Sequence, residues 1–177
     1  MDRARPDIRR PCDRPGRPGW RRPGTRSPYA AATAATAAAA WTGARATGPA
    51  SRWYRSLDRP AWQPPSWAFP VVWTPLYASF TWSAGHALNR TTGRDRTALA
   101  AAYGTNLALN AGWTWLFFGL RSPAAGVAGS LLLDADNLHL IRRTARHDPA
   151  AAAALAPYAA WCLFATALST SLARRNP

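Results

Sequence analysis

Charged residues fall in short clusters, and long neutral stretches separate them. Residues 27–44, 60–89, 97–120 and 149–173 contain no Arg, Lys, Asp or Glu. A fifth stretch, 122–141, carries only Asp134 and Asp136. A helix on the surface of a water-soluble protein shows a polar face with a charge every few residues, and these stretches offer none. A bilayer core about 30 Å thick takes about 20 mostly apolar helical residues. The pattern predicts an all-α integral membrane protein, a five-transmembrane-helix bundle. The alternative is an Ala-rich soluble bundle, which would leave Trp, Phe and Leu on all sides of several helices.

The breaks in the pattern set the boundaries. Helix 1 is expected over Tyr29–Gly43, helix 2 over Ser66–Leu88, helix 3 over Ala98–Gly119, helix 4 over Ala124–Thr144 and helix 5 over Pro149–Leu172. Residues 44–66 form a long connection with five prolines or glycines, and its Trp53, Tyr54 and Trp62 suit a membrane interface. Asn89–Arg96 reads as a polar loop and Arg121–Pro123 as a tight turn. Pro70 fits a first helical turn, whereas Pro75 lies deeper and should bend helix 2. Helix 1 is nearly all Ala and Thr, barely apolar enough for lipid. Small residues favour close packing against its neighbours.

Residues 1–27 hold nine Arg and three Asp among Pro and Gly. Without apolar periodicity they are expected to be a disordered tail, with 28–177 as the five-helix membrane domain. The tail lacks an apolar run of its own, so it does not read as a signal peptide. It either touches lipid headgroups or reflects an upstream start. The tail also makes the mean hydropathy slightly negative. All 22 basic residues are Arg and all 8 acidic ones are Asp, a bias that fits a GC-rich genome and weakens any functional reading of the net charge of +14. Five spans place fifteen Arg on the tail side and seven on the other. The positive-inside rule then puts the N-terminus in the cytoplasm, of a bacterial cell membrane. Without the tail the balance is six to seven.

Cys12 and Cys162 suggest neither a disulfide nor a metal site, and His86, His139 and His147 are scattered. No nucleophile–base pair, metal cluster or phosphate loop is present, so no catalytic residue is assigned, and no nucleic-acid partner is expected.

Helical spacing does gather one set of side chains. Trp73, Tyr77 and Phe80 share a face of helix 2. Asn106, Asn110, Trp113 and Phe117 share a face of helix 3. Tyr158, Trp161, Ala165 and Leu168 share a face of helix 5. Such faces suit a large planar apolar ligand with polar edges. Each also has a plainer reading: an aromatic stripe as core, and a membrane Asn as an interhelical hydrogen bond. Asp134 and Asp136 lie mid-helix, where a carboxylate is costly. They point roughly 200° apart at about 100° per residue, so they do not share a site. They mark either a proton or ion path, or a helix with protein or water on both sides, or a helix in which one Asp is protonated.

Three segments carry a family resemblance: WYRSLDRPAWQPPSWAFPVVWTPLY (53–77), LALNAGWTWLFFGL (107–120) and PYAAWCLFATALS (157–169). Their order and spacing resemble those of the TspO/MBR family, the tryptophan-rich sensory and translocator proteins. The resemblance implies a five-helix bundle, often a homodimer, that binds tetrapyrroles such as protoporphyrin IX or haem and requires no cofactor. It places Tyr54, Pro64, Trp73, Asn106, Asn110, Trp113, Trp161, Ala165 and Leu168 at ligand positions, and Tyr77 joins them by spacing. Residues 44–66 would act as a lid. The implied role is tetrapyrrole sensing, regulation or carriage. Light- and oxygen-dependent breakdown of protoporphyrin IX at Trp73 and Trp161 is the alternative, with a scaffold that has lost its ligand as a third. The chain departs from the family where Phe69–Pro70–Val71–Val72 precedes Trp73 and where Gly129 replaces a helix-4 Asp. It also lacks the Tyr of a sterol-type motif near Thr170.

Overall fold

The computed structural model describes residues 26–47 and 52–177. The expected disorder of the tail therefore falls, up to residue 25, outside the described residues, as do Cys12 and Trp20. The described residues are all-α. In chain order they form α1 (Arg26–Thr47), the short α2 (Arg52–Ser56), α3 (Ala68–Arg90), α4 (Gly93–Thr114), a π-helical turn (Trp115–Gly119), α5 (Pro123–Ala145), α6 (Pro149–Ala154) and α7 (Ala156–Arg175).

Local chemistry explains the boundaries. Ser122 and Asp148 cap α5 and α6, accepting from the amides of Ala125 (3.2 Å) and Ala151 (3.0 Å). Pro123 and Pro149 then occupy the first turns, where a missing N–H costs nothing. Several expectations need correction. The polar loop expected at Asn89–Arg96 shrinks to Thr91 and Thr92, because Gly93, Arg94, Asp95 and Arg96 already form the first turn of α4. α1 begins at Arg26, inside the segment expected to be tail. The long connection contains α2. Helix 5 is two helices with a step at Leu155, whose N–H reaches back only three residues to Ala152 (3.1 Å). Pro157 supplies no N–H at the start of α7, and the Ser79 hydroxyl of α3 donates to the Ala154 carbonyl. Pro75 lies inside α3, as expected, and the helix runs on beyond it to Arg90.

The long helices close a ring. α1 packs on α3 and α4, α4 on α5, α5 on α6 and α7, and α6 and α7 return to α3. At Gly85 the Tyr29 ring of α1 lies so close that a Cβ would stand 2.1 Å from it. Gly126 does the same for Phe117 of the π turn, at 2.4 Å. Polar side chains share the interior with the apolar core, and many large apolar ones face outward. Asn106, Asn110, Asn137, Ser83, Ser130, Thr144 and Ser169 are buried, whereas Trp41, Trp67, Val71, Trp82, Trp115, Leu120, Leu131, Leu132, Leu138 and Leu163 are exposed. Among the described residues only Pro149–Arg175 is both long and apolar enough on its own to cross a membrane.

Candidate functional site

The buried apolar side chains form two packed clusters. The larger holds Phe80, Tyr103, Leu133, Leu140, Tyr158 and Cys162, with Trp73 and Trp161 against its edge. The smaller lies under the connection. Its Leu57, Phe117, Leu168 and Leu172 are covered by Trp53, Tyr54, Phe69, Trp113 and Phe164. The ten sequence-predicted site residues divide between them. Trp73, Tyr77, Asn106, Asn110 and Trp161 gather at the first, and Tyr54, Trp113 and Leu168 at the second. Pro64 and Ala165 are half-buried, on the connection and on α7.

The three predicted helix faces converge. Tyr77 donates to Asn110 Oδ1 (3.0 Å), joining α3 to α4. Tyr158 donates to Asn106 Oδ1 (3.0 Å), joining α7 to α4. Trp73 packs 5.0 Å from Tyr77 and 6.1 Å from Tyr158, centroid to centroid. A second aromatic chain runs Phe69–Trp161–Phe164–Trp62, at 6.1, 5.0 and 5.8 Å, and links α7 to the connection. Trp113 stacks on Phe117 (5.5 Å) and donates to the Gly126 carbonyl (3.0 Å).

Asn106 is the most constrained polar group. It is fully buried. Its amide donates to Asp136 Oδ2 (2.7 Å) and Asn137 Oδ1 (2.8 Å), while its carbonyl accepts from Tyr158. Both ends are thus used by protein, which favours the interhelical reading for this residue. Asp136 faces α4. Asp134 faces α7, where Thr166 donates to its Oδ2 (2.6 Å). The two carboxylates serve opposite sides of α5, as helical geometry requires.

The connection is held down at Tyr54 and at Asp58. Gln63 donates to the Tyr54 hydroxyl (3.1 Å), and Tyr54 packs on Phe117 and Phe118. Burial pushes the Tyr54 hydroxyl above its ordinary value, against the opposing pull of Arg59 and of the Gln63 bond. Asp58 is tied to the C-terminal end of α7. Its N–H donates to Asn176 Oδ1 (2.9 Å), its carbonyl accepts from Asn176 Nδ2 (3.1 Å), and Arg175 pairs with its carboxylate (3.3 Å). Sequence reasoning missed Gln63, whose Oε1 is buried with no partner among the described residues. It also missed Asn176, and nothing in the pattern around either residue marks it.

The TspO/MBR family profile matches residues 31–175. The chain belongs to the TspO/MBR family. This is a family of membrane proteins. The chain is 33% identical over 130 residues to "Tryptophan-rich protein TspO" of Chlorobaculum tepidum, covering 73% of this chain and 82% of the relative. It is 33% identical over 126 residues to "Protein CrtK" of Rhodobacter capsulatus, covering 71% and 79%. It is 32% identical over 127 residues to "Translocator protein" of Homo sapiens, covering 71% and 75%. The matched span includes all three segments that carried the resemblance.

Proposed function

We propose that this chain spans the bacterial cell membrane five times and binds a planar tetrapyrrole, protoporphyrin IX or haem, as a sensor, regulator or carrier. The spans are α1, α3, α4 with its π turn, α5, and α6 with α7. Each of these is long enough to cross a bilayer at 1.5 Å rise per residue. Exposed Trp and Leu on several of them, around a core of buried amides and hydroxyls, suit lipid outside and protein inside. Family membership supports the same reading for α1, α3, α4 and α5, whose composition alone does not carry it.

The convergence of Trp73, Tyr77 and Asn110 with Trp161, which Phe164 and Trp62 link to the pinned connection, is the observation that carries the ligand reading. Indole and phenol rings stack on a macrocycle, and the open acceptor of Gln63 offers it a polar contact. The test is titration of the detergent-purified protein with protoporphyrin IX in the dark, following tryptophan quenching. Saturable binding is expected, weakened about tenfold by Trp73→Phe or Trp161→Phe, a loss of about 1.4 kcal/mol of stacking. Absence of saturation sinks the reading. Illumination of the complex separates binding from breakdown, since a binder leaves the porphyrin spectrum unchanged apart from ordinary bleaching.

A further inference from the structure

On the outer surface of the bundle, α1 and α3 do not close against each other along their whole length. Two contacts set them antiparallel: Tyr29 lies on Gly85, and Thr81 donates to Thr36 (3.1 Å). Beside these contacts runs an open groove of about 480 Å³, with Ala37 and Ala78 in its walls. Tyr29 and Trp82 line one end of it, and Ala40 and Tyr77 the other. The hydroxyls along it are already used. Thr33 donates to the Tyr29 carbonyl (2.8 Å), and Thr36 accepts from Thr81. The groove therefore presents an apolar surface in spite of its threonines.

Its length fits one kind of occupant. From Tyr29 to Ala40 is about 16 Å at 1.5 Å per residue, close to the single hydrocarbon leaflet of about 15 Å that is half of a bilayer core. A second transmembrane helix would cross both leaflets and would not stop at Ala40. An acyl chain ends there.

The Trp82 end continues into charge. Trp82, itself exposed, stacks on His86 at 4.6 Å and 17°, and Arg90 follows His86 one turn further along the same stripe of α3. Trp82 to Arg90 is about 12 Å, enough to pass from the hydrocarbon edge, where Trp is at home, through a headgroup layer of about 5–8 Å. Arg90 is held there by the completely buried Asp148, whose Oδ2 faces Arg90 Nε (3.4 Å) and His86 Nδ1 (2.6 Å). Burial pushes the Asp148 carboxyl up. The Ala151 amide, His86 and Arg90 outweigh that and hold it below the ordinary carboxylate range. The anion anchors the Nε side of the guanidinium, while the Arg90 side chain stays 58% exposed. With Arg94 and Arg96 against Asp95 and Asp148, the α3–α4 turn remains net positive. A leaflet-long apolar furrow, an indole at its rim and an exposed guanidinium beyond repeat the order of chain, glycerol and phosphate in a lipid.

We propose that the α1–α3 furrow binds one anionic phospholipid, its acyl chain along Ala37 and Ala78 and its phosphate at Arg90. The proposal rests on the membrane-spanning reading above and not on the tetrapyrrole. The full chain is purified in detergent, stripped of lipid, and returned to phosphatidylglycerol or to phosphatidylcholine with the same acyl chains. Native mass spectrometry counts the lipids retained, and soluble glycerol phosphate serves as the headgroup without a chain. A single phosphatidylglycerol should remain on each chain, held about fivefold more tightly than phosphatidylcholine, the effect expected of one Arg beside an anionic headgroup. Ala37→Phe and Ala78→Phe, at exposed positions, fill the furrow and should release the lipid whatever its headgroup, with the melting temperature of the stripped protein unchanged. Arg90→Gln should bring phosphatidylglycerol down to the level of phosphatidylcholine, and Arg90→Lys should keep most of the preference. Comparing both lipids on one variant separates loss of charge from loss of fold.

Retention of phosphatidylglycerol by both Phe variants, an equal hold on the two lipids by the unsubstituted chain, or equal stabilisation by glycerol phosphate alone overturns the proposal. So does a paired mass of the stripped chain that either Phe variant abolishes, since the furrow would then be a contact between two copies. These outcomes leave the tetrapyrrole reading standing. Recovery of the chain from the soluble fraction without detergent overturns the lipid site and the membrane spans together.

Discussion

At the scale of single residues, the informative positions are buried polar groups whose partners lie on other helices. Asn106 is the clearest. Replacing it by Ala would orphan the Tyr158 hydroxyl, Asp136 and Asn137 Oδ1 together. Hydrogen bonds between membrane helices average only about 0.6 kcal/mol each, but unsatisfied buried groups cost about 1–3 kcal/mol. Asn106→Ala should therefore lower stability by about 2 kcal/mol, read as a fall in the melting temperature of the purified protein. Trp73→Phe, which leaves no polar group without a partner, should leave that temperature nearly unchanged while weakening porphyrin. The sequence could name Asn106 and Asn110 but not choose between ligand and packing. That choice depends on what stands opposite, which the tertiary fold alone decides. The pairing of Asp148 with His86, 62 residues away, has no signal in the local sequence.

Asp148 also sets a pH dependence. Its folded value is depressed, so its contribution is fully present above the ordinary carboxylate value of about 3.9. The contribution is lost as pH falls through the lower folded value. Asp148→Asn keeps a cap acceptor but not the charge. Its melting temperature should lie below that of the unsubstituted protein at pH 6 to about 7, and the gap should close as pH falls from about 3.9 through the depressed folded value. Parallel curves across that range would show that Asp148 contributes no charge-dependent stability.

At the scale of elements, the gaps between charges located every long helix, because lipid-facing and interior faces both exclude charge. The boundaries slipped where a different rule governs. Arg94, Asp95 and Arg96 were read as loop because they are charged, yet they form a helical turn after Thr92. Such a turn needs only water to satisfy its side chains. The step at Leu155 had a signal, Pro157, but Pro at a first turn reads the same whether a helix starts or restarts there. α2 and the π turn are set by rings packed from distant segments, Trp53 on Phe117 and Tyr54 on Phe118, which no local pattern encodes. The pinning of the connection yields a prediction at this scale. Asn176 bonds both the N–H and the carbonyl of Asp58 and also the Leu172 carbonyl (2.9 Å). Asn176→Ala removes the two that hold the connection, about 1 kcal/mol or more together. If the connection is the lid, bound protoporphyrin IX should dissociate about fivefold faster in a chase experiment, with an unchanged Soret maximum. An unchanged dissociation rate would mean that the ligand leaves by another route.

For the whole molecule, the open question is orientation. An odd number of spans puts the two termini on opposite sides, and the positive-inside rule weighs Arg near the ends of short loops. Most of the asymmetry comes from the nine Arg of residues 1–27; the loops alone are balanced at six against seven. The rule then predicts that the tail decides which way the bundle inserts. Full-length protein carrying a C-terminal periplasmic-activity reporter should be active outside and silent when the reporter requires the cytoplasm. A chain lacking residues 1–25 should insert in both orientations, giving intermediate signal from both reporters. Restoring four or more Arg at its new N-terminus should recover the single orientation, because the rule responds to basic residues near the first span. If the shortened chain keeps one orientation, the exposed Arg of the loops, or the order in which spans insert, sets the direction. The charge of the tail would then have no bearing on topology.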